Sequence, residues 1–138
     1  MKQHTTNYTN TFIEVADDCP VSQSQIPPEK KEKTIANLQY EMLLKNPYLY
    51  TSDDVIFETY AAKNGISGDE EKEFERNLYF SIGRACFRSS PLTKRYGFGI
   101  HSDREGKVAL IPMESSEYEI FLKDDSVKKV KAMRSKRT

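Results

Sequence analysis

Apolar positions change their spacing twice along this chain, from alternation to helical spacing and back. Near the start Phe12, Glu14 and Ala16 alternate with Ile13 and Val15, which predicts a short strand over Thr11–Val15, ended by Asp17-Asp18-Cys19-Pro20. Residues 20–33 hold Ser22, Ser24, Pro27, Pro28 and Glu29-Lys30-Lys31-Glu32-Lys33 with few apolar side chains, so they read as a surface loop. From Thr34 to Asn46, Ile35, Leu38 and Met42 repeat at helical spacing, Leu43 widens the stripe, and Asn46-Pro47 stops the helix. Thr51 and Asp54 are spaced as a capping box for a second helix, which carries Ile56 and Tyr60 on one face and stops at Asn64-Gly65. Ser67-Gly68-Asp69-Glu70 opens a third helix. Its acidic first turn suits the positive end of the helix dipole, its apolar stripe is Phe74, Leu78 and Ile82, and Gly83 ends it.

Beyond Gly83 the alternation returns. Ala85-Cys86-Phe87-Arg88 reads as a strand closed by Ser89-Ser90-Pro91. Tyr96–His101 and Lys107–Ile111 read as the arms of a hairpin joined by the polar loop 102–106, with Gly106 free to take positive φ. On the first arm Tyr96, Phe98 and Ile100 share one face and leave Gly97 and Gly99 on the other. That bare face implies close packing there by a neighbouring element or a ligand. Ser115-Ser116-Glu117 begins a short helix through Lys123 that buries Ile120 and Phe121. Val127, Val130 and Met133 fit either a last helical turn or a strand. The expected fold is α+β: a helical N-terminal half followed by a small antiparallel sheet built on the hairpin, with the opening strand paired into it. One domain spans 1–138, with a flexible basic tail near 132–138.

Composition narrows the class. Hydrophobic residues at 37% and fifteen aromatics among 138 residues support a core rather than disorder. No apolar run reaches the ~20 residues of a membrane helix, and the first residues lack the apolar core of a secretion signal. Two cysteines, Cys19 and Cys86, are too few for a disulfide framework and suit a reducing compartment, so a cytoplasmic protein is expected.

Charge adds an asymmetry that the formal total of zero hides. Residues 1–75 carry 7 Lys/Arg against 14 Asp/Glu, and residues 76–138 carry 14 against 7. The tail from Lys128 has six basic residues and no acidic one. Such a division points to a surface for an anionic partner.

The run Cys86-Phe87-Arg88-Ser89-Ser90-Pro91-Leu92-Thr93-Lys94-Arg95-Tyr96-Gly97-Phe98-Gly99-Ile100-His101 resembles an uncharacterised family of small bacterial proteins catalogued as a domain of unknown function (family 6157). Asn10–Ala16 and Lys131–Arg137 support the likeness, which covers nearly the whole chain. The resemblance implies a single-domain bacterial protein of this length and brings no activity, cofactor or catalytic residue with it.

The strongest candidate site lies between Arg84 and Lys107, where Arg84, Arg88, Lys94, Arg95, Arg104 and Lys107 face only Asp103 and Glu105. Guanidinium groups, hydroxyls and glycine-opened backbone N–H groups are what a phosphate or carboxylate needs. A nucleic acid or a phosphorylated small molecule is the expected partner of a non-enzymatic binding module. The bland alternative is a set of solvated cations neutralised by the acidic half.

A small enzyme is the second reading, with Cys86 as nucleophile beside Arg84 and Arg88 and His101 brought near as base, although no local nucleophile motif surrounds either. A homo-oligomer held by the opposite charges of its halves is the third. Cys19, Cys86, His4 and His101 lack metal-ligand spacing, so no metal is assigned. The carboxylates at Asp53-Asp54 and Asp69-Glu70-Glu71 sit where helix N-termini want them, and no glycine-rich phosphate loop or dinucleotide fingerprint is present, so no cofactor is expected.

Overall fold

The first strand is the hub of the sheet. In the computed structural model, which describes residues 2–136, β1 (Thr11–Glu14) pairs on one side with β2 (Phe98–Ser102) and on the other with β4 (Lys128–Lys131). Beyond β2 lies β3 (Val108–Pro112), giving the order β3-β2-β1-β4. The hairpin forms as expected, with Phe98 opposite Pro112 and Ser102 opposite Val108. β1 joins it antiparallel, placing Phe12 opposite His101.

The sheet is not purely antiparallel, however. β4 runs parallel to β1, with Thr11 beside Lys128 and Glu14 beside Lys131. The cause is the connection: α5 (Ser116–Lys123) carries the chain from β3 across the sheet and delivers β4 in the same direction, as a helical crossover must. Nor are helices confined to the first half. α1 (Ile35–Lys45), α2 (Ser52–Lys63) and α3 (Asp69–Tyr79) are followed by the single-turn α4 (Pro91–Lys94) and by α5, interspersed with the strands.

Local chemistry explains the boundaries. Thr34 and Thr51 each cap a helix through a complete capping box, closed by Asn37 and Asp54. Residues Ala85–Arg88, read as a strand, instead lead into a 3-10 turn over Phe87–Ser89. The Ser89 and Ser90 N–H groups donate to the Cys86 and Phe87 carbonyls, the Ser90 hydroxyl caps α4, and Pro91 supplies its first residue. Those turn bonds occupy the Cys86 and Phe87 carbonyls that a ladder would need, and the Arg88 carbonyl accepts from the Met133 N–H. The α3 helix also stops at Tyr79, short of Ile82.

Helices cover both sheet faces. Ile13, Phe98, Ile100 and Val108 pack against Ala36, Leu43, Val55, Ile56 and Leu92 from α1, α2 and α4. On the opposite face Phe12 and Ile111 pack with Tyr118 and Val127, and the Tyr118 hydroxyl accepts from the Val15 N–H at 2.8 Å. The bare glycine face is filled from within the chain. A Cβ at Gly99 would lie 2.7 Å from the Phe12 ring and 2.9 Å from Tyr118, and one at Gly97 would lie 2.8 Å from the Met113 sulfur.

Three helical stripes are oriented differently from their sequence reading. The α1 helix buries Ala36, Asn37, Gln39 and Leu43, leaving Ile35 exposed. The α5 helix buries Tyr118, while Ile120 points outward at 62% exposure. The α3 helix buries no residue at all.

Both edges of the sheet are managed. The chain between α1 and α2 runs along β3, where the Tyr48 N–H donates to the Val108 carbonyl and the Val108 N–H to that of Tyr50. The β4 edge is guarded by its own lysines. Residues 20–33 contain no helix or strand and are tied down where Asn37 Nδ2 donates to the Pro27 and Pro28 carbonyls. After β4, the Ala132 N–H bonds the Glu14 carbonyl, and the Ser135 and Lys136 N–H groups bond the Asp18 carboxylate. Arg137 and Thr138, the end of the tail read as flexible, lie outside the described residues.

Candidate functional site

Between α1, α2 and the 85–91 segment lies an open cleft of about 280 Å³, small for a ligand site. Ile35, Ile56, Ala85 and Pro91 give it apolar walls, and Tyr60 and Tyr79 add two rings whose centroids stand 4.5 Å apart. Its polar groups are Gln39, Thr59, Lys63, Asn64, Cys86, Ser89 and Ser90, with no carboxylate and no imidazole among the lining residues.

Gln39 is the best-placed of these. It is buried, and its Oε1 accepts a 2.6 Å bond from the Ser90 hydroxyl. Its Nε2 has no bond to a described residue, so an amide donor remains without a protein partner. No wholly enclosed side-chain nitrogen or oxygen among the described residues lacks a partner, so Nε2 keeps some access to solvent.

Cys86 contributes its thiol, 3.5 Å from the Tyr8 hydroxyl. The Tyr8 phenol is pushed up from its ordinary pKa, chiefly by that bond and then by burial, while Arg88 opposes the rise. Arg84 lies over the Tyr79 ring at 3.9 Å and donates from Nε to the Tyr79 carbonyl at 2.7 Å. Arg88, between two lining residues, donates from Nε to the Lys131 carbonyl at 2.7 Å. Of the cations only Lys63 is among the lining residues, and its Nζ donates to the Lys33 carbonyl at 3.1 Å.

The other expected basic residues are elsewhere. Lys94 and Arg95 precede β2, whereas Arg104 and Lys107 belong to the loop after it, so the two pairs stand at opposite ends of that strand. None of the six is paired with a carboxylate among the described residues; the ion pairs there are Lys33–Glu41, Lys72–Glu58, Arg76–Asp54 and Lys131–Asp17.

Cys86 and His101 are not brought together. His101 is on the α5 face of the sheet, stacked on Phe121 with centroids 4.0 Å apart and bonded through Nδ1 to the Tyr48 hydroxyl at 2.8 Å. Burial lowers its pKa, with Asp103 and Asp124 pulling the other way. His4 is held elsewhere, its N–H bonding the Phe80 carbonyl. Among the described residues no group of three or more His, Cys, Asp or Glu side chains converges on a point.

The carboxylates are occupied structurally. Asp54 closes its capping box, and Asp53 accepts bonds of 2.6–2.7 Å from the Thr5 and Thr6 hydroxyls and the Thr6 N–H, fastening the N-terminal segment to α2. Asp17 pairs with Lys131 at the end of β4, and Asp18 holds the segment after it.

Gln39, Tyr60, Lys63 and Tyr79 were not marked as site residues by the sequence. Gln39 had a signal: it sits three residues after Ala36 and four before Leu43, a polar side chain on the buried face of α1. The tyrosines and Lys63 had none, because they meet only when α2 and the end of α3 pack together.

The profile of a family of unknown function (DUF6157) matches residues 3–138. The chain belongs to that family. No curated protein and no solved structure matches it. Membership therefore supplies no ligand, and the chemistry of the cleft has to be read from its own side chains. No helix among the described residues is long and apolar enough to cross a membrane.

Proposed function

We propose that this chain is a small-molecule binding module whose ligand is an anion with a flat, apolar body, seated in the Cys86 cleft. The observation that carries the reading is the lining itself: two tyrosine rings, the Gln39 amide and Lys63, with Arg84 stacked on Tyr79 and no carboxylate among the lining residues to repel an anion. Rings and aliphatic walls take the body of the ligand, and the cations with Gln39 Nε2 take its charged group. A phosphorylated small molecule suits this better than a nucleic acid, which needs cations along a continuous surface. Lys94 with Arg95 and Arg104 with Lys107 flank opposite ends of β2, which favours the smaller ligand in this reading. Binding is favoured over catalysis, because Cys86 has a phenol as its neighbour and no imidazole or carboxylate among the lining residues to act as its base. The two free thiols fit a cytoplasmic, reducing setting.

Titrating isotope-labelled protein with phenyl phosphate and with adenosine monophosphate tests this by NMR. Saturable shifts are expected at the Gln39 side-chain amide, Ser89 and Ser90, and Lys63→Glu is expected to weaken binding about tenfold. Absence of saturable shifts up to about 10 mM, or shifts confined to Arg104 and Lys107, would overturn the assignment.

A further inference from the structure

The α3 helix is mounted with its polar side inward. Lys72 pairs with Glu58 at 2.8 Å and Arg76 with Asp54 at 2.9 Å, both partners on α2. The Arg76 guanidinium also stands over the Phe57 and Phe80 rings, at 6.0 and 5.7 Å. Tyr79 completes the inner face against Phe57 and Tyr60.

At 100° per residue, the side opposite Lys72 and Arg76 carries Phe74 and Leu78, and Ile82 lies three residues beyond the helix end. These three are 66%, 51% and 56% exposed. Around them stand Glu70, Glu71, Glu73 and Glu75, none in an ion pair among the described residues. The helix spends both of its cations on the attachment to α2. What remains outside is an apolar stripe bordered by four uncompensated carboxylates.

An isolated exposed leucine means nothing, but a helix that turns its apolar stripe away from its own core is a different case. The stripe would gain from burial, and the border says by what. A second copy of α3 laid along the first would set the carboxylates of one against those of the other, which opposes self-pairing. A cationic border on the opposing surface removes the repulsion and adds steering.

We propose that the outer face of α3 docks a basic amphipathic helix of another protein, with Phe74 and Leu78 as the apolar anchors and Glu70, Glu71, Glu73 and Glu75 as the selective border. The spacing of four residues between Phe74 and Leu78 matches the i, i+4 ladder that a partner helix presents. This surface is separate from the Cys86 cleft, so either assignment can fail without the other.

The probe is a leucine–lysine peptide of about four helical turns with all its leucines on one face. Its control is a peptide of identical composition scrambled to abolish that face. Binding is followed by calorimetry on the full chain, with sedimentation of the chain alone in parallel. The amphipathic peptide is expected to bind at least about tenfold more tightly than the scrambled one. Phe74→Ser/Leu78→Ser is expected to remove that advantage, and Glu71→Lys/Glu75→Lys to weaken binding while steepening nothing in the salt response. All four positions are exposed or half-buried, and circular dichroism checks that each variant keeps its helices. Equal binding of both peptides reduces the interaction to charge alone and overturns the proposal. So do undetectable binding and binding untouched by the double substitution. A reversible dimer of the free chain that the double substitution abolishes assigns the face to a second copy instead, and likewise overturns it.

Discussion

Gly99→Ala is the sharpest test of how the two halves of the core are fitted together. The added methyl would stand 2.7 and 2.8 Å from the Phe12 Cζ and Cε1 atoms and 2.9 Å from Tyr118 Cε2, against an ordinary carbon contact of about 3.5–4.0 Å. Neither ring has room to retreat, since Phe12 is wholly buried and Tyr118 is tied by its hydroxyl to the Val15 N–H. Overpacking of this kind costs about 1–3 kcal/mol. Replacing glycine also removes freedom from the unfolded chain, a gain of about 0.4–1 kcal/mol that opposes the clash. Gly99 has no positive φ, so backbone strain does not enter. The net expectation is a loss of about 1–2 kcal/mol, which lowers Tm by about 3–6 °C for a domain of this size. With a urea slope near 2 kcal/mol/M, the midpoint falls by about 0.5–1 M. Phe12→Leu removes the ring atoms that collide. The double variant is therefore expected to lose less than the sum of the single losses, by about 1 kcal/mol. An unchanged or raised midpoint for Gly99→Ala, or strict additivity in the double variant, would falsify the packing account.

Two further outcomes follow from the same structure. Because burial lowers the His101 pKa below its ordinary 6.5, the unfolded chain takes up a proton there before the folded one does. Stability is therefore unaffected by this group above the ordinary value, and declines as pH falls from there toward the folded pKa. Urea midpoints between pH 8 and 5 should show that slope in the wild type and lose it in His101→Gln, well above the window near pH 4 where carboxylates begin to protonate. Asp53→Ala removes the acceptor of the Thr5 and Thr6 bonds and leaves a buried N–H unpaired; it should cost about 2–4 kcal/mol and speed proteolysis ahead of Tyr8, which a melting curve and a timed digest would read.

Much of the local structure was legible because local chemistry decides it. Thr34 with Asn37 and Thr51 with Asp54 are caps that need only four residues to work, and Gly106 takes its positive φ in the hairpin loop. The bare face of Gly97 and Gly99 announced a close approach, though not that Phe12, Tyr118 and Met113 would make it. What escaped depends on distant residues. Lys128–Lys131 is a strand because β1 supplies its partner, and no four-residue pattern contains that fact. The α3 periodicity was plain, but periodicity does not say which side faces in; Glu58 and Asp54 on α2 decided it through Lys72 and Arg76. Lys94, Arg95, Arg104 and Lys107 read as one cluster in sequence, and β2 sets the two pairs at its opposite ends.

The parallel seam between β1 and β4 has a consequence for synthesis. A ribosome releases the segment containing Thr11 long before the one containing Lys128, and elongation at about 5–20 residues per second leaves several seconds between them. During that interval β1 offers an open, largely apolar backbone edge to its surroundings, so the nascent chain waits on its final strand before the fold can close.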